Sequence, residues 1–214
     1  MGLALLLDDP VAQMVDIHSS LFLQDFARWM TLLGEGWVVA LLGILVPTVL
    51  WILGRTRAAR AVVLITAIGL LTGGAATLLR SLVGRTRPNA HVAQGVYGVR
   101  HDSHWIIGKY EFGSFPSGHT ATVVGLAAAA WMINRRLGLA SAAYAALVSW
   151  SRIAQGSHHF SDVVAASIVG VAGAYIVLTR VGPLIKWVDG GLKDLWLCSH
   201  RPVSTPGTDT SSRV

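Results

Sequence analysis

Ser151-Arg152-Ile153-Ala154-Gln155-Gly156-Ser157-His158-His159-Phe160-Ser161-Asp162 is the stretch on which the fold turns. It sets a cation, imidazoles and a carboxylate between two apolar runs, Leu137 to Trp150 and Val163 to Leu178. Ionisable side chains at a membrane edge are costly and persist where something uses them. Arg152 is able to hold a phosphoryl group and His158 to attack it. Asp162, four residues on, is able to reach back around one helical turn and orient the ring. The stretch therefore reads as a short polar loop joining two membrane-spanning helices.

Working outward, three more apolar runs appear: Trp37 to Leu53, Ala61 to Leu79 and Ser117 to Ile133, each near spanning length. No Asp or Glu interrupts any of the five. Composition agrees, since 53% of the 214 residues are hydrophobic and 13% charged, against about one quarter charged in a soluble domain. The single Cys, Cys198, excludes an internal disulfide framework and a thiolate-rich zinc cluster. A net charge of +6 would suit nucleic acid, but the Arg residues lie mostly between apolar runs and not on one polar face. Anionic membrane lipids are the partner this pattern fits, and nucleic acid is not. The apolar stretch Leu3 to Leu7 is too short for a cleavable signal, and Asp8-Asp9-Pro10 follows at once. Met1 to Asp9 carries no other readable signal.

Short basic loops orient the runs. If the spans alternate, Arg55, Arg57 and Arg60, then Arg135 and Arg136, then Arg180, Lys186, Lys193 and Arg201 all fall on one side, the cytoplasmic one. The N-terminal segment, the loop from Gly84 to Phe115 and the loop from Ile153 to Asp162 fall together on the other. Between Val11 and Met30, the residues Met14, Val15, Phe22, Phe26 and Met30 recur at three- and four-residue steps. That is a helix lying in the interface with Trp29 at head-group depth, or one packed on the outer side of the bundle. The expected architecture is all-α: a polytopic transmembrane helical bundle of about five spans plus an N-terminal interfacial helix at about 11–30, or six spans with a further one near the N-terminus. Residues 1–201 form one membrane-embedded domain, and 202–214 form a polar tail too poor in apolar residues to fold. Gly69 with Gly73, and Ala166, Gly170 and Ala174, predict close helix packing.

Two further clusters carry chemistry. In Arg80-Ser81-Leu82-Val83-Gly84-Arg85-Thr86-Arg87-Pro88, Arg80 and Arg87 lie two helical turns apart and point the same way if the helix continues to Pro88. Arg85 reads as an interfacial Arg snorkelling to head groups. In Phe115-Pro116-Ser117-Gly118-His119-Thr120, Ser117 is a helix cap and Gly118 admits a ligand close to the backbone, so the exposed N–H groups suit phosphate. His119 belongs to an ordinary capped helix, or is a general acid that protonates a departing alkoxide and then activates water. His91, His101 and His104 lack the carboxylate or thiol partners of a metal site.

In this order the three stretches resemble the signature of the type 2 phosphatidic acid phosphatase superfamily, K-x6-R-P, P-S-G-H and S-R-x5-H-x3-D. The second and third match in full. The first has Arg80 where the family has Lys, which keeps the charge and changes its shape and reach. The resemblance implies His158 as nucleophile, since it satisfies both S-R-x5-H and H-x3-D while His159, a polar loop residue, misses both by one. It implies a phosphohistidine hydrolysed by water, His119 as the acid–base, and Asp162 fixing the tautomer. Arg80, Arg87 and Arg152, with Ser117 and Gly118, would hold the phosphate, with no metal and no cofactor.

The implied protein is a multi-pass lipid phosphatase of a bacterial inner membrane, its site facing the periplasm and its substrate a phosphorylated lipid. Interception of the phosphohistidine by a lipid hydroxyl would make it a phosphotransferase. The vanadium haloperoxidase branch shares the anion cradle, but five apolar spans argue against it. An anion transporter is a third reading, against which the charges cluster at one surface. Which lipid is cleaved, and the oligomeric state, are not written in these residues.

Overall fold

The structure, a computed structural model, describes residues 6–17 and 20–181. All five apolar runs are helical. The described helices are α1 (Asp8–Met14), α2 (Leu21–Leu33), α3 (Gly36–Ile52), α4 (Thr56–Val83), α5 (Gly118–Ile133), α6 (Arg135–Ala154) and α7 (Phe160–Ile176), the last running into a π turn at Val177–Val181. A two-stranded antiparallel ribbon, β1 (Arg100–His101) and β2 (His104–Trp105), lies in the long loop between α4 and α5.

Helix α5 is the centre of the bundle, packed on α4, α6 and α7. Its small residues permit that crowding. Gly118, Ala121, Gly125, Ala127, Ala129 and Ala130 are all buried, so three neighbours approach its backbone. Ile65 and Ile68 of α4 meet Ala129 and Ala130 of α5 and Ala174 of α7 near one end. Ala76, Ala121 and Ala166 meet near the other. Helices α5 and α7 therefore run parallel, with α4 antiparallel to both. Val148 and Ala145 of α6 pack on Val123 and Ala127, and α6 returns antiparallel after Asn134, whose Oδ1 accepts from the Arg136 and Leu137 amides.

The expected small-residue contacts are present. A Cβ on Gly170 would stand 2.8 Å from Gly125 N and 3.0 Å from Ala121 O, one on Gly69 would stand 2.9 Å from Thr122 O, and one on Gly73 would collide with Thr122 Oγ1. Thr72 uses the same closeness, donating 2.8 Å across the interface to the Ala121 carbonyl.

Three expectations change. The helix expected over 11–30 is two: α1 ends at Met14, and α2 restarts behind Ser20, whose Oγ accepts from Leu23 N at 3.4 Å. Helix α2 packs on the bundle, with Ala27 beside Ala154 and Phe26 6.0 Å from the Trp150 ring. Second, α4 stops at Val83, because Gly84 turns left-handed (φ 61°) and a Cβ there would collide with the Gly98 carbonyl. Third, of the five spans, only Thr56–Val83 and Phe160–Arg180 are long and apolar enough to cross a membrane alone, and α2 with α3, bent by 62°, pass as a pair. Helix α5 has 16 residues. Wrapped by neighbours, it is not held to the length a lipid-facing span needs. The polar tail at 202–214 lies outside the described residues.

Chain direction gathers the ends. The starts of α3, α5 and α7 and the ends of α4 and α6 share one face of the bundle. Arg55, Arg57, Arg60, Arg135 and Arg136 stand at the opposite ends of those helices.

Gly73→Val is expected to lower stability by about 2 kcal/mol through overpacking. Gly74→Val, where a Cβ meets nothing within 4 Å, is expected to have a much smaller effect. Thermal unfolding in detergent micelles checks the pair, and equal losses would contradict the packing.

Candidate active site

The long loop leaves Gly84 and is pinned as it goes. Thr86 N donates to Gly95 O at 3.0 Å and Arg87 N to Glu111 O at 2.9 Å. Arg87 thus reaches the site from a loop and not from two further helical turns. It still meets Arg80: both line a polar cavity of about 270 Å³ with Thr77, Ser81, Lys109 and Tyr110. A Cβ on Gly118 would stand 3.9 Å from Arg80 Nη1, so the bare start of α5 lets this cation close to its amides.

Arg87 is buried, with its Cζ 3.9 Å above the Tyr110 ring, and its Nε and Nη1 have no hydrogen-bond partner. Burial pulls its guanidinium below the ordinary value, opposed by Tyr110. Arg152, at the end of α6, is also buried; Nη1 donates to Thr31 Oγ1 at 3.2 Å, while Nε has no partner. The three cations are close enough for their charges to act on one another. Buried guanidinium N–H groups without acceptors are expensive, and together they form a cradle for an anion.

Ser117 caps α5 as expected, its Oγ accepting from Thr120 N at 3.4 Å. Next to it His119 turns Nε2 to within 3.1 Å of Glu35 Oε1, at the bend between α2 and α3. Gly34 lets this bend sit against α6, since a Cβ there would collide with Val148 Cγ1.

His158 is 1% exposed. Its Nδ1 lies 2.7 Å from the Ser114 carbonyl oxygen. A carbonyl only accepts, so Nδ1 carries the hydrogen and Nε2 keeps the lone pair. That Nε2 is buried and has no hydrogen-bond partner among the described residues. Burial lowers the ring's pKa to about 4; the charges of Arg152 and Arg87 add to the drop and Asp162 opposes it.

The expected bond from Asp162 to this ring is not made, because Oδ2 stands 3.8 Å from Nδ1. Asp162 spends its lone pairs elsewhere. Oδ2 accepts from Ser114 Oγ at 2.5 Å and from His159 N at 2.8 Å, and Oδ1 accepts from Arg85 Nη1 at 2.5 Å. Ser114 therefore stands between the carboxylate and the imidazole, gripped by one through its hydroxyl and gripping the other through its carbonyl. His159 caps α7, with Nε2 3.3 Å from Thr86 O.

The site thus brings together Arg80, Arg87, Ser117, Gly118, His119, Arg152, His158 and Asp162 at one end of the bundle. It adds residues the sequence reading missed: Thr31, Glu35 and Ser114, together with Arg85 and Asp8, which form an ion pair at 2.9 Å. Glu35 had a usable signal, an acid between two glycines at a span boundary. Of the loop aromatics, Trp105 and Tyr110 are exposed, whereas Tyr97 packs inward, 4.1 Å from the His101 ring and 5.6 Å from Phe112. Among the described residues no three His, Cys, Asp or Glu side chains stand together as metal ligands.

The model of the PAP2 superfamily matches residues 57–186. Two curated relatives are named lipid A 1-phosphatase. The protein of Rhizobium johnstonii is 33% identical over 123 residues, 56% of this chain and 49% of its own. That of Rhizobium etli is 34% identical over 125 residues, 56% of this chain and 51% of its own. The match spans about half the length of these relatives. Two crystal structures share the fold at a TM-score of 0.56. Aquifex aeolicus LpxE is 20% identical, with 81% of this chain and 96% of that chain covered. The first transmembrane PAP2 type phosphatidylglycerolphosphate phosphatase from Bacillus subtilis is 18% identical, with 83% and 85% covered.

The depressed His158 pKa has a signed consequence. The unfolded ring takes up its proton near pH 6.5 and the folded one near pH 4. Stability from this group is therefore complete above pH 6.5 and falls as pH drops toward 4, by about 3 kcal/mol in all. In histidine-labelled protein, the NMR signal lost in His158→Gln is expected to titrate near pH 4. A midpoint near 6.5 would contradict the buried, neutral ring.

Proposed function

This chain belongs to the PAP2 superfamily, and from that premise we propose that it is an integral membrane lipid phosphatase. It hydrolyses a lipid phosphomonoester or pyrophosphate at the non-cytoplasmic leaflet of a bacterial inner membrane through a phosphohistidine. The observation that carries this reading is His158 Nε2, a buried lone pair without a hydrogen-bond partner among the described residues, on a ring close enough to feel the charges of Arg87 and Arg152, whose own buried N–H groups are likewise unpartnered.

The phosphate oxygens take those N–H groups, with Arg80 and the amides after Ser117 completing the cradle. The Nε2 lone pair forms the N–P bond as the P–O bond to the lipid breaks. His119 gives its proton to the leaving oxygen, and Glu35 stands 3.1 Å from its Nε2. The phosphorylated ring keeps its Nδ1 hydrogen on the Ser114 carbonyl, and its positive charge faces Asp162 at 3.8 Å. Water activated by His119 then attacks phosphorus, releasing inorganic phosphate and restoring Nε2. The guanidinium groups supply the positive charge, so the scheme requires no metal.

Support for a lipid substrate comes from an apolar groove of about 630 Å³ between α5, α6 and α7. It runs from Ser149 and Val163 near the site to Trp131 and Gly138 at the far end. The names of the two Rhizobium relatives point to phosphorylated lipids of the same class. The basic ends of the helices, opposite the site, support the outward orientation.

Phosphate release from a panel of lipid phosphates and pyrophosphates tests the reading. His158→Ala is expected to lose about 10³-fold or more in kcat, while His159→Ala stays far more active and chelators change little. Full activity in His158→Ala would contradict the nucleophile, and loss on chelation would contradict the metal-free scheme.

A further inference from the structure

Arg85 looked from sequence like a surface cation, yet its side chain is 13% exposed and committed on both sides. Nη1 donates to Asp162 Oδ1 at 2.5 Å and to Ser161 Oγ at 2.7 Å, and Nη2 donates to Asp8 Oδ2 at 2.9 Å. Asp8, in the first turn of α1, is buried too. Its Oδ1 accepts the Ser161 amide at 2.7 Å and its Oδ2 the Ser161 hydroxyl at 2.8 Å. An acid from the opposite end of the chain therefore caps the first turn of α7, where Asp162 stands. A snorkelling Arg would present its head to water or phosphate, and this one presents it to two carboxylates.

We propose that Arg85, braced by Asp8, is a positioning residue of the reaction, which divides the two oxygens of Asp162 so that His158 is held by the Ser114 carbonyl and not by the carboxylate. The proposal rests on the phosphatase reading above.

With Arg85 on Oδ1, Oδ2 is left to hold Ser114 Oγ and His159 N. Ser114 is thereby fixed, and its carbonyl sets the Nδ1–H direction and with it the aim of Nε2. Without the guanidinium, Oδ1 is a fully buried acceptor with no donor, which is costly. His158 Nδ1–H stands within reach, 3.8 Å from Oδ2. The carboxylate would turn to it, release Ser114 and swing the ring, and a displacement of about 1 Å at a nucleophile costs about 10²-fold in rate. Because the side chains of the clamp bond to one another and to none of Arg80, Arg87 and Arg152, the loss belongs to turnover and not to substrate binding. Lys in place of Arg85 keeps the charge but replaces a fork that reaches both acids with a single ammonium.

The test measures kcat and KM per folded molecule for Arg85→Ala, Arg85→Lys, Asp8→Asn and the Arg85→Ala/Asp8→Asn pair in detergent micelles. Arg85→Ala is expected to lose about 10²-fold in kcat with KM within about threefold. Arg85→Lys is expected to recover about tenfold of that, and Asp8→Asn to lose about tenfold. The pair should be no worse than Arg85→Ala alone, as for residues acting as one unit.

Parental kcat in Arg85→Ala, or a raised KM with unchanged kcat, would overturn the clamp while leaving the phosphatase reading intact. If the parent hydrolyses no lipid phosphate, that reading fails, and the His158 NMR midpoint decides the clamp alone. Facing that ring are Arg87 from the loop, Arg152 from α6 and Asp162 from α7. Freed from Arg85, Asp162 should raise the midpoint in Arg85→Ala, and an unchanged midpoint would overturn the proposal.

Discussion

A carboxylate without access to water has to be paid for by its neighbours, and Asp162 is such a carboxylate. Its donors come from separate parts of the chain: Arg85 from the loop after α4, Ser114 from the turn before α5, and the His159 amide from its own helix start. The His159 bond is local, three residues along the chain, but Arg85 and Ser114 come from 77 and 48 residues away. Burying one charge ties both ends of the α4–α5 loop to the start of α7, and the imidazole hangs from the same point through the Ser114 carbonyl. Fold and site are therefore not separable here, since the contacts that make the first also aim the second.

Around that anchored centre the polar groups divide into two kinds. Asp162, Arg85, Asp8, Ser114 and Ser161 are bonded to one another. By contrast, Arg87 Nε and Nη1, Arg152 Nε and His158 Nε2 are buried without hydrogen-bond partners among the described residues. Satisfied groups stiffen a structure, whereas unsatisfied ones store a cost that a matching ligand removes. Three cations and a neutral, weakly basic imidazole match a phosphoryl group in charge and in reactivity. A protonated His158 would have no lone pair to offer, so the burial that depresses its pKa keeps the lone pair of the proposed nucleophile available at neutral pH.

Much of this was legible in the chain. The five apolar runs are helices, even the one that carries Pro47 inside α3, and Ser117 caps α5 because a hydroxyl before an apolar run serves the orphan amides. Arg87 lines one cavity with Arg80, but not by the route the sequence suggested. Two helical turns from Arg80 seemed to carry it, but Gly84 ends the helix and backbone bonds to Gly95 and Glu111 carry the loop instead. Asp162 and His158 do stand one turn apart, as the spacing suggested, with 3.8 Å between them, but spacing says nothing of Ser114, which takes the carboxylate's hydrogen bond. Asp8 and Arg85 were invisible because each is ordinary in its local sequence. Their meaning lies in a contact across 77 residues, and no periodicity encodes that.

The central claim is that Nε2 of His158 bonds to phosphorus during turnover. Rapid quench of the protein with a lipid carrying ³²P in its phosphate, followed by peptide mapping and ³¹P NMR of the labelled fragment, measures this directly. The account predicts an alkali-stable, acid-labile label on the fragment containing His158, attached at Nε2 and absent in His158→Gln. Label on Nδ1 of that ring or on His159, or turnover with no trapped phosphoenzyme under conditions where dephosphorylation is rate-limiting, would contradict it.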